Sequence, residues 1–246
     1  GQQQKMKNMK QLRFYLVLIY LTFAFMTSAK KSTFITYEVG VTKDVIRLSN
    51  PQNNVGFYNS PIGVPGILMT QQITNLFYIE SGLYFGESTG VDMITMSPLD
   101  TTNLLFYKEE FHIPIRIRLQ KSLFNERINL FASTGVNFIF PSDNYGCYGL
   151  FSYTDKTTLT TNKFIYTKNQ TLLELGAGID IRLTKNFFMG IRYRYNIGLK
   201  KYIDLDATAI NSESNEISNY HLTSNGNYHS FMLSASYRIS RIWNRK

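Results

Sequence analysis

The feature of the sequence that most constrains its fold is a strict alternation of apolar and polar residues. In residues 111–119, every second residue is Phe, Ile or Leu, and the positions between them include Arg116 and Arg118. A period of two residues is the signature of a β-strand with one apolar and one polar face. The pattern predicts eight strands, at residues 33–42, 66–73, 76–86, 111–119, 128–140, 173–183, 187–199 and 231–239.

The segments between these strands alternate strictly between short and long. The short connections are residues 74–75, 121–126 and 184–186, and the long ones are 43–65, 87–110, 141–170 and 200–227. Bacterial outer-membrane barrels have short periplasmic turns and longer external loops. The order therefore predicts an all-β protein, an eight-stranded antiparallel up-and-down transmembrane β-barrel with both termini in the periplasm.

The composition of the polar face indicates that it points inward. Glycine is costly on an exposed strand but fits a narrow lumen, and arginine pairs with carboxylates in a confined space better than lysine does. The strand glycines of this face are Gly40, Gly82, Gly86, Gly135, Gly176, Gly178, Gly190 and Gly198, and its cations are Arg116, Arg118, Arg182, Arg192, Arg194 and Arg238. We therefore expect a polar lumen that is filled with side chains.

The acidic residues Glu38, Glu80, Glu174 and Asp180 lie on the same face. Pairing of neighbouring strands places Glu80 beside Arg116 and Arg118, Glu174 and Asp180 beside Arg192 and Arg194, and Glu38 beside Arg238. Buried charge requires such partners. These nine residues, with Arg182 as the tenth, form the predicted structural ion-pair network, and its small positive excess would be met by water, Asn129, Asn137 and Asn196.

The first 29 residues have the order of a secretory signal. Four basic residues precede the apolar run 14–26, and the small residues Thr27, Ser28 and Ala29 follow it. We therefore expect a cleavable signal peptide at 1–29 and the barrel at 30–246. A permanent anchor is the alternative, but the run is short for a helix that must cross a bilayer with about 20 residues. Cleavage lowers the formal net charge from +9 to +5.

Four segments together resemble one known family. These are FHIPIRIRL at 111–119, FASTGVN at 131–137, LGAGIDIRL at 175–183 and GIRYRYNIG at 190–198. They resemble the PorT-like outer-membrane β-barrel family of Bacteroidota. The resemblance implies an eight-stranded Gram-negative outer-membrane barrel, mostly of undefined function, with one member type accessory to type IX secretion. Such barrels often end on an aromatic residue, whereas here residues 240–246 continue past the last strand. Tyr237 and Trp243 are the aromatic candidates for recognition by the assembly machinery.

The sequence offers little that points to catalysis. His112, His221 and His229 are the three histidines, but no spacing typical of a metalloprotease or a serine-hydrolase elbow is present. Cys147 is the only cysteine, which excludes a disulfide framework, and we interpret it as an incidental loop residue. No basic face interleaved with aromatic residues indicates a nucleic-acid partner. We therefore expect no enzymatic activity, no cofactor and no metal.

The long connections are rich in tyrosine and small polar residues, which is good binding chemistry. The tyrosines in or directly beside them include Tyr145, Tyr148, Tyr153, Tyr166, Tyr202, Tyr220 and Tyr228. The sequence thus predicts a non-enzymatic outer-membrane barrel that contacts lipid. The barrel is either purely structural or binds a protein or glycan through four external loops, and the resemblance implies an accessory role in secretion. The alternative is a secreted, soluble, lipocalin-like barrel that carries a small apolar ligand.

Overall fold

The computed structural model describes residues 32–45, 47–49, 55–58, 62–97, 100–152, 157–166, 169–211, 215 and 217–239. The predicted signal peptide and residues 240–246 lie outside this range. The described chain forms thirteen strands: β1 (Thr33–Asp44), β2 (Arg47–Ser49), β3 (Val55–Tyr58), β4 (Ile62–Gln72), β5 (Phe77–Ser97), β6 (Asp100–Leu123), β7 (Ile128–Ser152), β8 (Thr157–Tyr166), β9 (Gln170–Arg182), β10 (Phe187–Gly198), β11 (Ile203–Asn211), β12 (Ile217–Ser224) and β13 (Tyr228–Arg238).

Eight of these strands close into an antiparallel barrel in the order β1, β4, β5, β6, β7, β9, β10, β13. The first strand closes it, because β1 pairs with β4 on one edge and with β13 on the other. Each barrel strand therefore pairs with the barrel strands before and after it in the sequence. This confirms the predicted eight-stranded up-and-down topology, and each predicted strand coincides with one barrel strand.

The short connections are tight turns at residues 73–76, 124–127 and 183–186. In the first and third, a threonine hydroxyl accepts the backbone N–H of the next strand's first residue, from Phe77 to Thr74 at 2.9 Å and from Phe187 to Thr184 at 3.2 Å. The turn between β6 and β7 has positive φ at Phe124, Asn125 and Glu126. All three turns lie at the end where β1 begins and β13 ends.

The opposite end of the barrel contains strands where the sequence predicted loops. β5, β6 and β7 continue far past the predicted strand ends, and β3 pairs with the extension of β5. A separate four-stranded sheet has the order β2-β12-β11-β8. Cys147 lies in β7, with its backbone opposite Phe106, so its assignment to a loop was wrong. Most of these segments do not alternate clearly in sequence, and the alternating residues 203–209 of β11 were predicted to belong to a loop.

The barrel has the inverse of a soluble protein's burial pattern. Large apolar side chains such as Ile191 and Leu233 are more than half exposed on the outer wall, at 58% and 59%. The lumen buries charge instead, with Glu38 at 0% and Arg192 at 1% exposed. The predicted orientation of the polar face is therefore confirmed. Within the described part of the chain, no helix is long and apolar enough to span a bilayer.

Candidate functional site

The charged lumen is built by alternation on five strands. Because residues two apart share a face, β6 directs Arg116 and Arg118 inward and β10 directs Arg192 and Arg194 inward. The carboxylates come from β1, β5 and β9, as Glu38, Glu80, Glu174 and Asp180. Each of these eight side chains belongs to a residue that is less than 5% exposed. The formal charges of this central group cancel, four against four.

Glu38 accepts hydrogen bonds from two partners and forms an ion pair with a third. Arg194 Nη2 donates to both of its carboxylate oxygens, at 2.8 Å and 2.7 Å. Arg192 Nη1 lies 2.5 Å from Oε1, and the Tyr84 hydroxyl donates to Oε2. A charged pair in a low-dielectric site needs such additional hydrogen bonds to offset desolvation. Glu38 is therefore the acid at which β1, β5 and β10 are linked.

Glu80 links the arginines of opposite walls. Arg116 Nη1 on β6 donates to Glu80 Oε1 at 2.8 Å, and Arg192 Nη1 on β10 donates to Oε2 at 3.1 Å. The hydroxyl of Thr70 donates to the same Oε2 at 3.0 Å, and Arg118 Nη1 lies 3.8 Å away. The carboxylate thus bridges β6 and β10 across the lumen, in addition to its predicted pairing with β6.

Glu174 and Asp180 occupy two levels of β9. Arg116 Nη2 donates to Glu174 Oε2 at 2.9 Å, whereas the predicted partner Arg194 is more distant, with Nε 3.5 Å from Oε1. Arg118 Nη2 donates to Asp180 Oδ2 at 2.5 Å, and Arg192 Nη2 lies 3.6 Å from Oδ1. The nearest guanidinium of both acids therefore comes from β6, although β7 lies between β6 and β9.

The predicted pairing of Glu38 with Arg238 is wrong. Glu38 lies opposite Ser234 on β13, and Arg238 lies opposite Phe34. The two levels differ by four residues, or roughly 13 Å along a strand. Arg238 Nη2 instead lies 3.2 Å from Glu126 Oε2 at the short-turn end.

Arg182 also lies apart from the central group. Its Nη1 is 3.3 Å from Glu126 Oε2, and its side chain is 26% exposed. The predicted positive excess of the lumen is therefore carried by Arg182 and Arg238 at the mouth, where one acid serves both. Of the asparagines, Asn129 accepts a hydrogen bond from Ser122 at 2.7 Å, and Asn137 donates to Asn196 at 3.3 Å.

Sequence reasoning missed the aromatic residues of the lumen. Tyr84 is 3% exposed and donates to Glu38, and the Arg118 guanidinium lies 3.6 Å from the ring centre of Phe131. Such a stacked guanidinium gains cation–π attraction. Tyr84 could have been found, because it follows Glu80 and Gly82 at the same two-residue spacing.

Glycines leave the room that this packing uses. A Cβ on Gly190 would lie 2.1 Å from Asp180 Oδ1, and one on Gly66 would lie 2.2 Å from the Tyr84 ring. A larger residue would therefore displace Asp180 in the first case and Tyr84, the hydrogen-bond donor to Glu38, in the second. A small cavity of about 10 Å³ beside Tyr78, Arg118 and Asp180 is comparable to the space of one water.

The histidines lie apart from the charged group. His112 Nδ1 is 3.3 Å from the Tyr228 hydroxyl and Nε2 is 3.4 Å from Glu110 Oε2. His229 contacts Tyr193 at 2.6 Å, and His221 contacts Asp206 at 2.6 Å. In the described ranges, no group of three or more His, Cys, Asp or Glu could hold a metal ion.

Two of the predicted binding tyrosines lie inside the protein. Tyr202 is 3% exposed and donates to Glu110, and Tyr228 is 7% exposed and accepts a hydrogen bond from Asn137 Nδ2 at 2.7 Å. Their assignment to an exposed binding surface was wrong, because both hydroxyls satisfy buried polar groups near the long-loop end of the lumen.

Comparison with solved structures supports the fold. The chain is similar to the outer membrane protein OprG from Pseudomonas aeruginosa, with 13% identity and a TM-score of 0.51 over 85% of this chain and 96% of that one. Neisserial surface protein A gives 11% identity and a TM-score of 0.45, covering 84% and 97%. The outer membrane protease OmpT from Escherichia coli gives 8% and 0.41, covering 85% and 97%.

Sequence comparison assigns no family. No family model and no curated protein matches the chain. Its resemblance to the PorT-like barrels therefore stays a prediction. At 13% identity, the likeness to OprG shows the fold alone, which is a closed eight-stranded β-barrel with a polar, filled lumen.

Proposed function

We propose that this protein is an integral outer-membrane β-barrel whose barrel is a closed, non-enzymatic scaffold. The observation that carries the proposal is the inverted burial pattern, with an exposed apolar wall around a buried group of four acids and four arginines. Such a wall is stable in lipid, and a closed barrel leaves no strand edge unpaired there. The fold likeness to OprG, an outer membrane protein, supports the same location.

The same observation argues against the soluble carrier. A lipocalin-like barrel needs an apolar interior for its ligand, and its outer face must suit water. Here the described lumen is lined by Glu38, Glu80, Arg116 and Arg192, and the outer wall exposes residues such as Leu175 and Met189 at 52% and 50%. An apolar ligand would find no matching surface in this lumen.

The proposed orientation places both termini in the periplasm. The three short turns and the described ends of β1 and β13 share one end of the barrel, and short turns face the periplasm in bacterial barrels. The extensions of β5, β6 and β7 and the four-stranded sheet would then lie outside the cell. We infer that this external part binds a protein or glycan partner.

The location is tested by expression with and without the first 29 residues. The chain that carries them is expected in the outer-membrane fraction and should resist extraction by carbonate. The chain without them should aggregate in buffer and fold only when detergent or lipid is added. A soluble, folded protein in detergent-free buffer would contradict the membrane assignment.

An accessory role in protein secretion rests on the resemblance to PorT-like barrels. It predicts that deletion of the gene retains secreted cargo in the periplasm, and that the intact chain restores export. Normal export in the deletion strain would contradict this role and leave the structural proposal intact.

A further inference from the structure

The outer wall carries a local groove of about 440 Å³ where β6, β7 and β9 lie side by side. Its floor is formed by Ala132 and Ala177, which lie directly opposite each other in the sheet. Leu76, Leu119 and Leu130 form its sides. The groove is apolar and lies in a wall whose other outward residues are mostly large, so it is a depression in the lipid-facing surface.

A positive end closes the groove on the short-turn side. Lys121 lines the groove two residues beyond Leu119 and is exposed. Arg127 and Lys185, in the neighbouring turns, are exposed as well. Glu126 is the carboxylate among the described turn residues, and it is held by Arg182 and Arg238. An anion at this end would therefore meet cations rather than competing carboxylates.

We infer that the groove binds one anionic phospholipid, with an acyl chain over Ala132 and Ala177 and the phosphate at Lys121. A lysine can lay its apolar stem along the wall and place its ammonium at the headgroup level. This inference rests on the proposed membrane location and places the lipid in the periplasmic leaflet. A symmetric second copy is a poorer occupant, because a two-fold interface on this groove would bring the two Lys121 side chains towards each other.

The experiment uses the chain from residue 30, refolded into bilayer nanodiscs with equal amounts of phosphatidylglycerol and phosphatidylcholine. Retained lipid is measured by native mass spectrometry after transfer to mild detergent. The wild type should retain one phosphatidylglycerol. Lys121→Gln should lower this retention about fivefold, the effect of one surface cation. Ala132→Leu should abolish it by filling the floor.

Two control variants separate the groove from general effects. Ala235→Leu adds the same bulk to the outer face of β13, and Lys200→Gln removes an exposed cation from the opposite, long-loop end of the barrel; both should retain the lipid. Ala177→Leu is a second groove-filling variant in case Ala132→Leu does not fold. Equal retention of phosphatidylglycerol and phosphatidylcholine by the wild type would overturn the inference. So would a loss of phosphatidylglycerol in Ala235→Leu as large as that in Ala132→Leu. A wild-type dimer that becomes a monomer when the groove is filled would overturn it as well, because a second copy would then be the occupant.

The failure of this inference is distinguishable from that of the proposed function. Insertion is measured separately, by the heat-dependent shift in gel migration that folded barrels show. A chain that inserts without retaining phosphatidylglycerol refutes the lipid site alone. A chain that does not insert refutes the membrane assignment on which the site rests.

Discussion

Removal of the Glu38 carboxylate tests the balance of charge in the lumen. The residue is 0% exposed and accepts hydrogen bonds from Arg194 and Tyr84, with Arg192 in ion-pair contact. In Glu38→Ala, Arg192 keeps Glu80 at 3.1 Å, but the nearest carboxylate to Arg194 is Glu174 at 3.5 Å. Arg194 therefore loses its best partner, and the central group acquires a net positive charge.

The expected loss is about 3 to 5 kcal/mol of unfolding free energy, since breaking a buried pair leaves an uncompensated charge. A solvent-exposed pair would cost about 0 to 1 kcal/mol. The protein is refolded in detergent and titrated with urea, and the folded fraction is followed by gel migration. Addition of Arg194→Ala to Glu38→Ala should recover part of the loss, with a coupling of about 0.5 to 3 kcal/mol.

Arg238→Ala provides the matched control for this cycle. It also removes a lumen arginine, but Arg238 contacts Glu126 and lies roughly 13 Å from the level of Glu38. The double variant with Glu38→Ala should therefore be additive within about 0.5 kcal/mol. A loss below about 1 kcal/mol for Glu38→Ala, without coupling to Arg194, would refute the buried network.

Three further predictions address the packing of the lumen. Tyr84→Phe should lower the unfolding free energy by about 1.5 to 3 kcal/mol, because the charged Glu38 carboxylate loses the hydrogen bond from the Tyr84 hydroxyl. The urea titration measures this loss, and an unchanged midpoint would contradict the prediction. Gly135→Ala should lower the unfolding free energy by about 1 to 3 kcal/mol or more, because its Cβ would lie 2.1 Å from the Ile115 carbonyl oxygen. The control Ser133→Ala, on the same strand, should fold normally. In a planar bilayer the barrel should show no stable, large single-channel steps, because side chains fill an eight-stranded lumen; regular steps would show an open pore.

The barrel could be predicted because successive residues of a barrel strand face the lipid and the lumen in turn, so that apolar and polar side chains alternate along the sequence. The predicted strand at 187–199 corresponds to β10 (Phe187–Gly198), where outward residues such as Ile191 are exposed and inward residues such as Arg192 are buried. The weakly patterned second strand, predicted at 66–73, corresponds to β4 (Ile62–Gln72), which pairs with β1 and β5.

The four-stranded sheet could not be predicted in the same way. β8 (Thr157–Tyr166) and β11 (Ile203–Asn211) pair with each other. The sequence of β8 lacks a two-residue period, whereas residues 203–209 of β11 alternate but stand in a segment that was predicted to be a loop. Leu205 and Leu222 are fully buried and lie opposite each other on β11 and β12. Their burial depends on contacts between distant segments, which no local pattern encodes.

The narrowness of the barrel explains why the composition of the charged group was predictable and its pairing was not. The prediction treated the wall as a flat sheet, in which an acid meets only the strands beside it. Glu38 on β1 reaches Arg192 and Arg194 on β10, with β13 between them, and Glu80 on β5 reaches Arg192 from the opposite wall. In so narrow a lumen, long side chains from β1, β5, β6, β9 and β10 contact one another across the interior. The level of a residue along the barrel then decides its partner, which is why Glu38 is joined to Arg194 and separated from Arg238, although β13 is the neighbouring strand.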